Sequence, residues 1–140
     1  MRTSYVCVRM MLLGLALALA ACSSGEYGGD EKGVSFAEPL DGATVASPVS
    51  VVMKVKGMYV RPAGELIDGT GHHHLIIDGA FVPEGETVPK DATHKHFGKG
   101  QKEASIELSP GEHTLTLQFA DGQHDSYGEA MSKTIHITVE

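Results

Sequence analysis

The sequence predicts an all-β domain, a Greek-key β-sandwich of about seven strands over residues 34–140. Three observations predict it: apolar and polar residues alternate at period two from Val34 onward, helical periodicity is almost absent, and turn dipeptides separate the alternating runs. In the run 49–56, Val49, Val51, Met53 and Val55 share one face while Ser50, Lys54 and Lys56 take the other, the pattern of a half-buried strand. The alternation recurs at Ile106 and Leu108, at Leu115, Leu117 and Phe119, and at Ile135, Ile137 and Val139. Leu75-Ile76-Ile77 is continuous instead, which predicts a strand covered on both faces. Asp41-Gly42, Asp68-Gly69, Asp78-Gly79 and Asp121-Gly122 supply turns, and Ser109-Pro110-Gly111 reads as a hairpin connection. Pro39 and Pro48 fall at expected strand ends, where no ladder donor is needed.

Ahead of this domain, Arg2 and Arg9 precede an apolar run from Met10 to Ala21, too short for the ~18 residues of a spanning helix, and residues 1–21 read as a secretory signal peptide. The run ends in Leu19-Ala20-Ala21-Cys22, which resembles the lipobox of bacterial lipoproteins, in which the cysteine becomes lipid-modified and N-terminal. Residues 22–33, rich in Gly and Ser, then read as a flexible tether. With Cys7 removed and Cys22 acylated, the mature chain has no thiol or disulfide chemistry. Ser23 after the cysteine favours the periplasmic face of the outer membrane, by resemblance to the sorting rule of enteric bacteria.

Charge narrows the partners. The 140 residues carry 11 Lys and Arg against 18 Asp and Glu, a net of −7, with no basic cluster to neutralise a run of phosphates, so nucleic acid is not expected as a partner. Losing Arg2 and Arg9 with the signal makes the mature chain more acidic still, so anchoring to the membrane falls to the acyl chains.

The chemistry of the sequence lies in its 8 histidines, all in the mature part. His72 and His74, at i and i+2 of an expected strand, share a face, while His73 points with Leu75 and Ile77. His94 and His96 repeat the spacing inside residues 81–102, a long loop rich in Gly, Pro, Lys and Glu. If extended beside the first pair, they place three or four imidazoles around one ion, because cross-strand neighbours stand about 5 Å apart. Neutral imidazole suits copper or zinc. His113 at a strand start and His124 after Asp121-Gly122 are candidates to complete the set, and Met53, Met58 and Met131 are candidate thioethers for Cu(I) or core filler. His136 alternates outward with Thr134 and Thr138 and reads as a surface residue.

Glu65, Asp68 and Asp78 are the candidate bases of a metallohydrolase, but no HExxH and no GxSxG context accompanies them, so no catalytic residue is assigned. The expected role is a lipid-anchored envelope binding module holding copper or zinc through His72, His74, His94, His96, His113 and His124. An adaptor recognising an envelope protein or glycan through the 81–102 loop is the alternative, and a small metallohydrolase the second. Glycan recognition is the poorer adaptor option, since the chain has no Trp.

The blocks Gly71-His72-His73-His74-Leu75-Ile76-Ile77-Asp78, His96-Phe97-Gly98-Lys99-Gly100-Gln101 and Leu108-Ser109-Pro110-Gly111-Glu112-His113-Thr114-Leu115, followed by Asp121-Gly122-Gln123-His124, resemble a bacterial family of secreted or lipid-anchored domains of unknown function. The resemblance spans about Arg61 to His124. It implies an immunoglobulin-like fold and an extracytoplasmic address, and its blocks centre on the histidines already singled out. Some relatives carry labels such as rod-shape protein or ATPase. Neither a GxxxxGK[ST] phosphate loop nor a multi-span hydrophobic pattern supports those labels here.

Overall fold

A computed structural model describes residues 31–140. The expected signal peptide, Cys22 and the tether up to residue 30 lie outside the described residues. Nine strands follow: β1 (Gly33–Glu38), β2 (Ala43–Val45), β3 (Val49–Lys56), β4 (Tyr59–Val60), β5 (Thr70–Ile77), β6 (His94–His96), β7 (Glu103–Ile106), β8 (Gly111–Ala120) and β9 (Ser132–Val139), with one 3-10 turn at Glu129–Met131. Nine exceeds the expected count of about seven because β2, β4 and β6, with 3, 2 and 3 residues, are too short to show a period. No described helix is long and apolar enough to cross a membrane.

Two sheets form, β1-β3-β7 and β2-β9-β8-β5-β4, with β6 also paired to β5. From β5 the chain passes through β6 and the opposite sheet's β7 before β8 returns to lie antiparallel beside β5, which is the Greek-key path of an all-β sandwich. The alternating runs face inward as expected: Val49, Val51 and Met53 of β3 meet Leu75, Leu115, Leu117, Phe119, Ile135, Ile137 and Val139 in one buried core. Met58 and Met131 lie in that core too, so the methionines are packing residues.

The expected hairpin at Ser109-Pro110-Gly111 is corrected. β7 pairs with β3 in one sheet and β8 with β5 and β9 in the other, so this turn carries the chain between sheets. Pro110 and Gly111, the latter at φ 132°, mark where the chain turns, whereas the strand it joins afterwards is decided by which apolar face must be covered.

Residues 78–93 fold back over the outer face of the larger sheet. Val82 N–H donates to Gln118 Oε1 (3.0 Å), Ser126 Oγ donates to the Val82 carbonyl (2.7 Å), and Val88 N–H donates to the His124 carbonyl (2.9 Å). Val82 and Val88 thereby join Ile76 and Ala120 in a second small core. With the main core on the other face, all eight residues of β5 are buried, as its continuous apolar run predicted.

Candidate metal centre

β5 presents its three consecutive histidines to two environments because side chains alternate along a strand. His73 enters the main core, its ring 5.1 Å from that of Phe119 and edge-on to it. His72 and His74 point to the outer face and are fully buried.

Two further rings reach them. β6 lies antiparallel to β5 with His96 opposite His74, which puts the imidazoles on one face 5.1 Å apart between centroids. His124 comes from the turn after β8, where Asp121 Oδ1 accepts the Gln123 and Asp125 amides (2.8 and 3.0 Å). His124 itself sits at φ 76°, a left-handed conformation uncommon outside glycine. Its ring centroid lies 5.0 Å from His72 and 4.7 Å from His96.

The nitrogens converge. His72 Nε2 and His74 Nε2 are 3.0 Å apart, as are His96 Nε2 and His124 Nε2, and His72, His74 and His96 each offer a ring nitrogen within 4.8 Å of the others. Two nitrogens bound to one ion at ~2.0–2.1 Å stand about 3.0–3.4 Å apart, so each of the two 3.0 Å pairs fits shared ligation, while the 4.8 Å span of the triad must close somewhat around an ion. Hydrogen bonding within the protein accounts for the rings only in part: His72 Nδ1 and His74 Nδ1 are buried without a protein partner, as are both nitrogens of His73.

Burial also fixes the protonation state. It pushes His72 down to about 4 and His74 to about 2, with repulsion from the neighbouring imidazoles adding to it, and it lowers His96. These rings are neutral at pH 7 and their lone pairs are free for a metal. Asp121 opposes the shift at His72 through its charge. Its part in holding the His124 turn was legible in the sequence only as an Asp-Gly turn signal.

Two of the six sequence candidates are not brought to this cluster. His94 is two residues from His96, but its Nδ1 bonds Asp91 Oδ1 (2.9 Å), and the same oxygen accepts the His94 and Thr93 amides, which ties the ring to its own turn. His113 lies at the opposite end of the sheet, where Nδ1 bonds Asp78 Oδ2 (2.8 Å) and Nε2 bonds the Ser109 carbonyl (3.0 Å). Spacing alone could not separate a histidine with a local acceptor from one without. Of the candidate bases, Asp78 is committed to His113 and the Thr114 amide, while Glu65 and Asp68 are exposed on the β4–β5 connection. His136 is exposed, as its alternation predicted.

The cluster is thus an all-imidazole donor set with a buried inner pair, His72 and His74, and a half-buried outer pair, His96 and His124. Such a set suits zinc or copper and offers neither thiolate nor thioether. Residues 51–140, well over half of the chain, match a family model described as Domain of unknown function (DUF4399), and the chain belongs to that family. Neither the curated proteins nor the solved structures contain a match.

Proposed function

We propose that this member of the family binds one transition-metal ion, copper or zinc, through His72, His74 and His96 with His124 as fourth donor, and does so as a lipid-anchored module of the bacterial cell envelope. The observation that carries the metal reading is the mutual facing of Nε2 atoms among neutral, mostly buried imidazoles. Histidines kept to order loops would bond to carboxylates and carbonyls, as His94 and His113 do, whereas His72 and His74 bond only to each other. The role is binding rather than catalysis, since Asp78, the one partly fixed candidate base, is engaged at the far end of β5.

The lipid at Cys22 and the periplasmic face of the outer membrane complete the proposal, supported by the lipobox-like Leu19-Ala20-Ala21-Cys22. The test is calorimetric titration of the full chain in detergent, without a histidine tag, with Zn(II) and Cu(II). The expected result is about one ion per chain with a Kd below about 1 µM, near 8 kcal/mol of binding free energy. Weak uptake without fixed stoichiometry would overturn the metal reading and direct attention to an envelope partner of the 81–102 segment.

A further inference from the structure

The outer imidazoles ride on separate turns, and one segment touches both. In the connection from β4 to β5, Ala63 N–H donates to the Gly98 carbonyl (2.9 Å) and the next amide, Gly64 N–H, donates to the Gly122 carbonyl (2.8 Å). Gly98 stands two residues after His96 and Gly122 two residues before His124. Consecutive amides of one strap therefore set the spacing of the turns that bear the outer ligands.

Both glycines are required for space. Neither has a positive φ, unlike Gly100 at 79°, so an L-residue could adopt their backbone angles. A Cβ on residue 98 would instead penetrate the His96 ring at Cε1 and Nε2 and stand 3.2 Å from Nδ1, and every heavy atom it meets first belongs to that ring. A Cβ on residue 122 would penetrate the Glu65 carbonyl oxygen and lie 2.7 Å from its carbon, in the strap itself.

We propose that Gly98 and Gly122 are positioning residues of the metal centre: Gly98 leaves the space that the His96 ring occupies beside its backbone, with Nε2 toward His124 Nε2, and Gly122 lets the strap close on the turn of His124. The inference rests on the metal reading for its purpose, while the contact between Gly98 and His96 can be tested without metal. A side chain at 98 turns His96 Nε2 away from His72 and His74. One at 122 lifts the strap and separates the outer pair.

A double-mutant cycle between Gly98→Ala and His96→Ala in the full chain tests this, with Gly33→Ala as control because a Cβ at 33 meets nothing within 4 Å. Affinity for Zn(II) is read by competition with a chromophoric chelator, and the metal-free thermal midpoint and the His96 Cε1–H resonance are read beside it. Gly98→Ala is expected to weaken binding at least tenfold and to shift that resonance, yet to change the residual affinity less than twofold once His96 is Ala. Gly122→Ala is expected to weaken binding as well, and wild-type affinity in it would overturn the part assigned to Gly122, while Gly33→Ala should match the parent throughout. Wild-type affinity in Gly98→Ala, or the same loss with and without the His96 ring, would overturn the proposal. If the parent binds no zinc or copper, the proposed function falls by itself. The midpoint then decides: a drop caused by Gly98→Ala that vanishes beside His96→Ala keeps the positioning contact, and an equal drop in both removes it. Should Gly98→Ala alone fail to fold, the double variant is expected to fold, and its failure overturns the proposal too.

Discussion

The larger sheet holds histidines at both ends, and the two ends treat them in opposite ways. At the end where β5 begins, His72 and His74 are buried with no acceptor but each other's Nε2, and burial drives their pKa values down to about 4 and about 2. At the other end, both nitrogens of His113 meet acceptors, Asp78 Oδ2 and the Ser109 carbonyl, and these hydrogen bonds raise its pKa. A ring whose two nitrogens both meet acceptors is favoured in its cationic form and pins a connection, whereas a buried ring without acceptors is favoured in its neutral form with a lone pair to give. The partner atoms, and not the residue type, separate a clamp from a ligand.

The largest expected effect breaks the comparison if it fails. The His72→Ala/His74→Ala double variant should lose zinc and copper affinity by roughly 100-fold or more, since even a residue that only hydrogen-bonds to a ligand is commonly worth 10–100-fold. His94→Ala and His113→Ala should each stay within about twofold of the parent, because their rings are engaged elsewhere. Calorimetric titration of the four proteins checks this. An equal loss in His113→Ala would erase the distinction between the two ends.

A second prediction sharpens it through acid stability. His72, His73 and His74 are all held below the usual value of 6.5, by burial first, with His73 at about 4. Between pH 6.5 and about 4 the unfolded chain takes up protons that the native rings refuse. Stability present above pH 6.5 is therefore lost as pH falls, by about 1.4 kcal/mol per pH unit for each such group. His73 faces the main core with both nitrogens orphaned. His73→Leu should thus raise metal-free stability by about 1–3 kcal/mol at pH 5, flatten the slope, and leave metal affinity alone. Urea unfolding at pH 5 and pH 7 measures it, and parallel slopes would show that His73 carries no part of the acid response.

The two ends also differed in how much of them was legible in sequence. Period two gave the inward faces of β3, β8 and β9 and the opposite pointing of His73 against His72 and His74, because alternation is a property of the strand alone. The approach of His96 needed β6, three residues whose strand character exists only through pairing with β5. His124 needed the Asp121 turn, and the exclusion of His94 needed Asp91, both contacts of side chains with local backbone that periodicity does not register. The landing of β8 beside β5 instead of β7 was equally nonlocal.

The smallest expected effect lies at the clamp. The pKa of Asp78 is lowered: partial burial would raise it, but hydrogen bonds from His113 and the Thr114 amide outweigh that. That of His113 is raised, so the ion pair is intact above the ordinary carboxylate range and below the raised histidine value. For His113 the sign is the reverse of His72: the stability it contributes is fully present below pH 6.5 and is lost as pH rises through its folded pKa. Because the Asp78 side chain is 51% exposed, solvent screens the pair and its contribution is about 0.5–1 kcal/mol. His113→Gln, which keeps a neutral donor but loses the charge, should cost about that much at pH 6 and clearly less at pH 9. Urea midpoints at the two pH values read the difference. A cost that grows toward pH 9 would mean that the neutral ring is the stabilising form, and the two ends of the sheet would then hold their histidines alike.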